Sequence, residues 1–210
     1  MKTIAIAAAK GGATKTTITS VLAVQASRES DKVLMIDLNA DQGNLTQWWA
    51  SRGEPDVPGL ARNVENLPQD VKALAGGKFD WLLIDTPPIE MDLIEQAIAV
   101  ADAVVIPVRT SIFDVNSIDP VVEMCRDHRK PYAFLLSAVD GKFKTLTQQT
   151  AAALAREGPM FAARISYKLA YIQALTHGKT GAEIAKDLAP EAEALWAEVK
   201  QLATKGQIDG

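Results

Sequence analysis

The chain has 210 residues, 48% apolar and 23% charged, with a net charge of −4 and one cysteine. That composition fits a single globular core. The lone Cys125 excludes a disulfide framework, a C-x-x-C zinc site and a cluster-carrying interface. The negative balance means that any nucleic-acid contact has to come from a local basic patch, because the overall field repels a polyanion.

The first element is an apolar run, Thr3–Ala9, within MKTIAIAAAK. It is too short for a membrane span, and glycines and lysines follow at once, so it reads as a strand rather than a secretory leader. A glycine-rich loop then leads into a helical pattern over Thr16–Glu29. Further apolar runs lie at Lys32–Asp37, Trp81–Asp85, Ala103–Val108 and Tyr132–Ala138, with a weaker one at Met160–Ile165. Helical patterns alternate with them at Met91–Ala101, Ser117–Arg129, Thr145–Arg156 and Leu169–His177, and Pro190–Leu202 closes the chain. The runs are continuous rather than alternating, as in strands covered on both faces. Strand, helix, strand predicts an α/β fold: one domain over residues 1–210, with a mostly parallel sheet and helices on both faces. No base-reading module is visible ahead of residue 3, so no separate N-terminal DNA-binding domain is expected. In such folds ligands sit beyond the carboxyl ends of the strands, so the residues that follow each run carry the interest.

The loop after the first strand reads Lys10, Gly11, Gly12, Ala13, Thr14, Lys15, Thr16, Thr17. Consecutive N–H groups before a helix N-terminus make an anion cradle, and the glycines let the backbone approach oxygen closely. Lys15 is placed to neutralise β- and γ-phosphate charge and the Thr16 hydroxyl to ligate Mg²⁺. A glycine turn with solvated lysines is the plain alternative. A strict G-x-x-x-x-G-K-[ST] loop fails at Ala9 and Thr14. A β-branched residue tolerates positive φ poorly, so either the loop avoids that conformation or binding suffers. Lys10 is a surplus cation that leaves the loop before the phosphates begin, which suits it to a nucleotide held by a facing subunit.

On these residues KGGATKTT resembles the deviant Walker A motif, KGGxGKTT, of the ParA/MinD superfamily of P-loop ATPases. The resemblance is nearest to small ParA-type (ParF-like) partition ATPases and covers nearly the whole chain. It implies ATP and Mg²⁺ as cofactors, with Lys10 to Thr17 as the binding loop. It also implies a homodimer in which the first lysine crosses to the partner's ATP. VLMIDLNADQGNLTQWW resembles the family's hhhhDxDPQG segment, whose acids hold Mg²⁺ waters and position the attacking water. Asp37 matches the first acid. Asn39 sits at the D-x-D spacing, while Asp41 precedes the matching QGNLT register and is favoured as the second acid. The resemblance thus gives Lys10, Lys15, Asp37 and Asp41 the catalytic roles. If Asn39 holds that place instead, hydrolysis is slow, because a carboxamide accepts no proton. A polar turn is the bland reading of NADQGN.

FDWLLIDTPP is a strand ending in Asp85, which reads as a Walker B carboxylate; with Thr16 and Asp37 it completes the expected metal set. ADAVVIPVRTSIFDVNSIDP resembles the family's ADxVxIPxxPSxxD segment, matching at Pro107, Ser111 and Asp114, although Asp114 also fits a simple helix-start residue. The family's ATP-bound dimers bind DNA non-specifically, and the candidate phosphate contacts here are Lys142, Lys144, Arg156, Arg164 and Lys168. The resemblance implies a ParB-type or cargo adaptor as partner, and a cytoplasmic, nucleoid-associated location. The acidic final helix, with Glu191, Glu193 and Glu198, argues against a membrane anchor and for core packing. Trp48, Trp49 and Trp196 are expected to pack rather than to stack on ligands. The function expected is an ATP-dependent dimerising switch for DNA partition. The alternatives are another cargo-positioning ATPase, a metabolic ATP-dependent enzyme, or a binding switch that barely turns over.

Overall fold

The computed structural model describes residues 1–29, 31–39, 43–53, 58–61, 65–115 and 117–208. In chain order the elements are β1 (Lys2–Ile6), α1 (Lys15–Arg28), β2 (Val33–Asp37), α2 (Asn44–Arg52), β3 (Gly59–Leu60), α3 (Leu67–Ala75), β4 (Trp81–Asp85), α4 (Met91–Val100), β5 (Ala103–Arg109), α5 (Ile112–Val115), α6 (Asp119–Asp127), β6 (Tyr132–Val139), α7 (Lys144–Glu157), β7 (Met160–Ser166), α8 (Leu169–Leu175), α9 (Gly181–Ile184) and α10 (Ala189–Lys205). The strands form one sheet in the order β3-β2-β4-β1-β5-β6-β7, and every pairing is parallel. The expected α/β fold is therefore present, with a sheet that is wholly rather than mostly parallel.

Alternate residues of each apolar run enter opposite cores, which is why the runs carry no polar face. Ile4, Ile6, Met35, Leu83 and Val105 pack with α1 and α10 on one side. Ala5, Leu34, Ile36, Ile84 and Ile106 pack with α3, α4 and α6 on the other. The first strand is central, with β4 on one side and β5 on the other. Strand order reverses there, so the crevice past the end of β1 is the natural ligand position.

The last helix is a core element, as its pattern predicts: Leu195, Trp196, Val199 and Leu202 are fully or almost fully buried. Trp196 meets Trp81 edge-on at 4.8 Å. Two of its acids serve an unexpected purpose. Both Glu198 oxygens accept from the edge strand β7, at Ala162 N (2.7 Å) and Ala163 N (3.0 Å). Glu191 accepts from Ser166 N at 3.0 Å and from the Tyr171 hydroxyl at 3.0 Å. These carboxylates occupy donors that an open sheet edge would otherwise offer to another chain. Glu198→Ala is expected to lower stability by about 1–2 kcal/mol, seen as roughly 3–6 °C in Tm. Glu193→Ala, on the exposed side of the same helix, is expected to stay within about 0.5 kcal/mol. Thermal unfolding of both variants checks this.

Candidate nucleotide site

The loop between β1 and α1 turns through two left-handed residues, Gly12 (φ 71°) and Thr14 (φ 65°). A Cβ at Gly12 would make only ordinary contact with the Arg109 guanidinium at 3.5 Å, so it is the left-handed conformation that calls for glycine there. Thr14 does not avoid the left-handed region. It adopts it, at a cost of about 1–2 kcal/mol for an L-residue, and its hydroxyl donates to Ala13 O at 2.6 Å.

The two lysines diverge. Lys15 opens α1 and is 7% exposed. Its ammonium turns back into the loop and donates to Ala8 O (3.1 Å) and Lys10 O (3.2 Å). Burial lowers its pKa, partly opposed by the Asp85 charge. Lys10 runs the other way and pairs with Asp114, which also accepts from Arg109 Nε at 2.9 Å. Asp114 is 4% exposed. Burial pushes its pKa up, but the hydrogen bonds from Lys10 and Arg109 outweigh this and hold it below the usual carboxylate range. Asp114 lies in the first turn of α5 and is also the hub of an ion-pair triad. The Lys10 side chain, expected to project toward a facing subunit, is held within its own chain.

Asp85 ends β4 one strand away from the loop. Thr16 Oγ1 donates to its Oδ2 at 2.6 Å. Its Oδ1 is buried and has no hydrogen-bond partner among the described residues. Burial raises its pKa to about 7, with Asp37 adding to the rise while the Thr16 hydroxyl and Lys15 oppose it. A hydroxyl beside a carboxylate with an unpartnered oxygen suits an oxygen-liganded divalent cation.

Asp37 lies in register with Asp85 across the β2–β4 pair, but its oxygens are engaged by the protein. Oδ1 accepts from Asn39 N at 3.0 Å, and Oδ2 from Thr46 N (2.9 Å) and Thr46 Oγ1 (3.0 Å). Gly43 at the start of α2 has no side chain to cap it, so Asp37 acts as the missing cap from the neighbouring strand. Asp41 lies outside the described residues. Asn39 is 8% exposed and lines the main cavity.

That cavity measures about 690 Å³. Its floor is the loop from Gly11 to Thr17, and Asn39, Asn44, Gln47, Trp48, Thr86 and Thr176 are among its walls. A second groove of about 450 Å³ shares Gly12, Thr14 and Thr17; Tyr167, Tyr171, Ile172 and Leu175 give it a mostly apolar surface, with Arg109 and Lys168 also at its wall. The loop thus stands between a polar chamber and an apolar one. Trp48, expected to pack, is 2% exposed and does so while also lining the chamber. Asn44 and Gln47 of α2 lie within the family-like segment but carry no role from it, and Arg52 lies beyond it. Their only signal is the polar run after the second strand.

The candidate DNA contacts divide. Lys142 and Lys144 follow β6 and Lys168 follows β7, and Tyr167 N donates to Val139 O at 2.8 Å, joining the two strand ends. Arg164 is on the exposed side of β7. Arg156 is in the last turn of α7, about 18 Å along the helix from Lys144. Among the described residues no cluster of three or more His, Cys, Asp or Glu marks a separate metal centre. No described helix is long and apolar enough to cross a membrane.

Residues 4–180 match the family described as the CobQ/CobB/MinD/ParA nucleotide binding domain. The chain is 30% identical over 141 residues to maintenance of carboxysome distribution protein A of Halothiobacillus neapolitanus, covering 65% of this chain and 64% of the relative. It is 28% identical over 147 residues to the chromosome-partitioning ATPase Soj of Thermus thermophilus, covering 56% of this chain and 59% of that one. The matches span less than two thirds of the length of these relatives. Among solved structures, a plasmid partition protein from Borrelia burgdorferi bound to AMPPNP superposes with a TM-score of 0.77 at 20% identity, over 95% of this chain and 99% of that one. The phosphate loop, the parallel sheet around it and these similarities agree, and the chain belongs to the CobQ/CobB/MinD/ParA nucleotide-binding family.

Proposed function

We propose that the protein is an ATP-dependent switch ATPase that dimerises around two nucleotides and positions DNA or another cargo. The observation that carries this reading is the divergence of the two lysines. Lys15 serves the loop's own cradle, whereas Lys10 sits outside the larger cavity, paired with Asp114, which Arg109 also holds. A cation so placed has no use for the nucleotide of its own chain and is available to that of a second copy once Asp114 lets go.

The polar chamber suits the triphosphate and the attacking water, and the apolar groove suits a base. Loop N–H groups and Lys15 bind and orient the phosphates. Thr16 and Asp85 are the residues that would hold Mg²⁺, which supplies charge neutralisation on the transferring phosphoryl oxygens when bound. Asp37 holds α2 in place beside the chamber, and Lys10 of a second copy adds positive charge from outside. Lys142, Lys144 and Lys168 are the proposed contacts to DNA phosphate, with a steep salt dependence as the expected signature. The names of the carboxysome-distribution and chromosome-partitioning relatives support a role in positioning a cargo; a cargo-bound adaptor as trigger, and a cytoplasmic, nucleoid-associated place, are part of the proposal.

Lys10→Ala is the test. The variant is expected to retain ATP binding within a few-fold and to lose DNA- or partner-stimulated hydrolysis by about 100-fold or more, the scale of a trans-acting cation in phosphoryl transfer. Full stimulated turnover in Lys10→Ala would remove the case for a shared site. A second reading, a switch that binds nucleotide and barely turns it over, is favoured by one observation: a carboxamide, Asn39, faces the chamber.

A further inference from the structure

The main chamber has two walls outside the phosphate loop. Gln47, Trp48 and Ser51 of α2 form one, and Leu175 and Thr176 at the end of α8 form the other. What joins them lies beyond the chamber. Arg52, the last residue of α2, donates Nη1 to Gly178 O at 3.0 Å and both Nη1 and Nη2 to the Glu183 carboxylate at 3.1 and 3.0 Å. The two side chains are only 10% and 16% exposed. Glu183 is itself fixed, because its Oε2 accepts from Thr180 N at 2.7 Å in the capping box of α9. Trp48 Nε1 donates to Lys179 O at 2.9 Å, and the Arg52 guanidinium lies 5.6 Å from the Trp48 ring centre. Gly178 is left-handed, and a Cβ there would lie 2.1 Å from Arg52 N, so the segments meet backbone to backbone.

We propose that Arg52 and Glu183 are positioning residues of the nucleotide site, an inference that rests on the chamber taking a nucleoside triphosphate. Asp37 holds the first turn of α2 through Thr46, and the Arg52–Glu183 fork holds its last. With both ends fixed, the side chains between them stand at a set distance from the phosphate loop and from Thr176. A buried ion pair is a weak source of stability, but a bidentate guanidinium fixes direction as well as distance. An apolar contact between the same helices would let them slide. The pair therefore sets the geometry with which the chamber meets the nucleotide, so that loosening it weakens binding as well as turnover.

The test uses the full chain and four proteins: wild type, Arg52→Lys, Glu183→Gln, and the double variant Arg52→Lys with Glu183→Gln. For each, the Kd of a fluorescent ATP analogue, kcat and KM for ATP, and Tm are measured. Each single variant is expected to raise Kd and KM about tenfold or more. The double variant is expected to lose clearly less than the sum of the two single losses, because the two effects belong to one interaction. Glu183→Gln keeps the shape and an acceptor for Arg52, so it remains readable if Arg52→Lys fails to fold. Variants that lose Tm while Kd and KM stay within twofold of wild type would show a merely structural pair and overturn the inference alone. A wild-type chain that binds no ATP analogue would overturn it together with the proposed function.

Discussion

Asn39→Asp is expected to raise ATP turnover about tenfold or more while leaving nucleotide affinity within a few-fold. The residue is nearly buried, two positions past Asp37, and faces the chamber floored by Gly11 to Thr17. Its backbone N–H is fixed by the Asp37 carboxylate, and Gly43 N donates to its carbonyl at 2.7 Å. A carboxamide placed there can orient water but cannot take its proton. A carboxylate can do both, and positioned general bases typically give about 10²–10⁴-fold. The gain should carry its own pH signature. Turnover of Asn39→Asp should show, as pH drops, a limb from the new carboxylate in addition to the one that Asp85 imposes on both proteins. Steady-state hydrolysis from pH 5 to 8, with Asn39→Ala as control, decides it. A variant no faster than wild type at unchanged affinity would leave the catalytic place to Asp41.

Asp85→Asn is expected to separate stability from function. The Asp85 carboxyl is 1% exposed, and its pKa is pushed up to about 7 chiefly by burial. Its folded-state pKa therefore lies above the unfolded value near 3.8. The native state then holds a proton that the unfolded state has released between those values. This contribution is fully present below the unfolded pKa and is lost as pH rises toward and past about 7. At pH 8 the buried charge remains a burden on the order of a few kcal/mol, since a tenfold change in a proton's affinity corresponds to about 1.4 kcal/mol. Asparagine removes the charge but leaves an amide donor to satisfy, at about 1–2 kcal/mol. The net expectation is a gain of roughly 2 kcal/mol at pH 8, about 4–8 °C in Tm, and no gain near pH 4. Mg²⁺-dependent turnover should be abolished, because the variant gives up the carboxylate proposed to hold the cation. Equal Tm for the two proteins at pH 8 in the absence of nucleotide would contradict the charge argument.

Much of the fold is legible in the sequence because it announces itself by continuous apolar runs. Five of the runs become β1, β2, β4, β5 and β6, and the weaker Met160–Ile165 becomes β7, each shifted by at most a few residues. The elements missed lie where burial is slight. α2 buries only Leu45 and Trp48, and α3 only Leu67 and Val71, so neither writes a sustained 3.6-residue pattern. β3 is two residues long. In the site, Lys15, Thr16 and Asp85 come together from two strand ends, each of which an apolar run marks in advance. Asp37 ends its strand as the run predicts, but its employment is not readable there. Its partner Thr46 is nine residues on, and only the fold of the intervening turn brings a helix start onto that carboxylate. The Lys10–Asp114 pair joins residues 104 apart, and the Arg52–Glu183 pair joins residues 131 apart. No local pattern encodes contacts of that separation. The left-handed Thr14 is the reverse case, where a local rule is known and the loop overrides it.

The central claim is that the outer lysine completes a site on a second copy of the chain. The most direct measurement is the solution mass of wild type and Lys10→Ala with ADP and with a slowly hydrolysed ATP analogue, by sedimentation at one protein concentration. The account predicts monomer with ADP, dimer with the analogue for wild type, and monomer in both conditions for Lys10→Ala. A wild-type protein that stays monomeric while saturated with the analogue, or a Lys10→Ala variant that dimerises as readily as wild type, would contradict it.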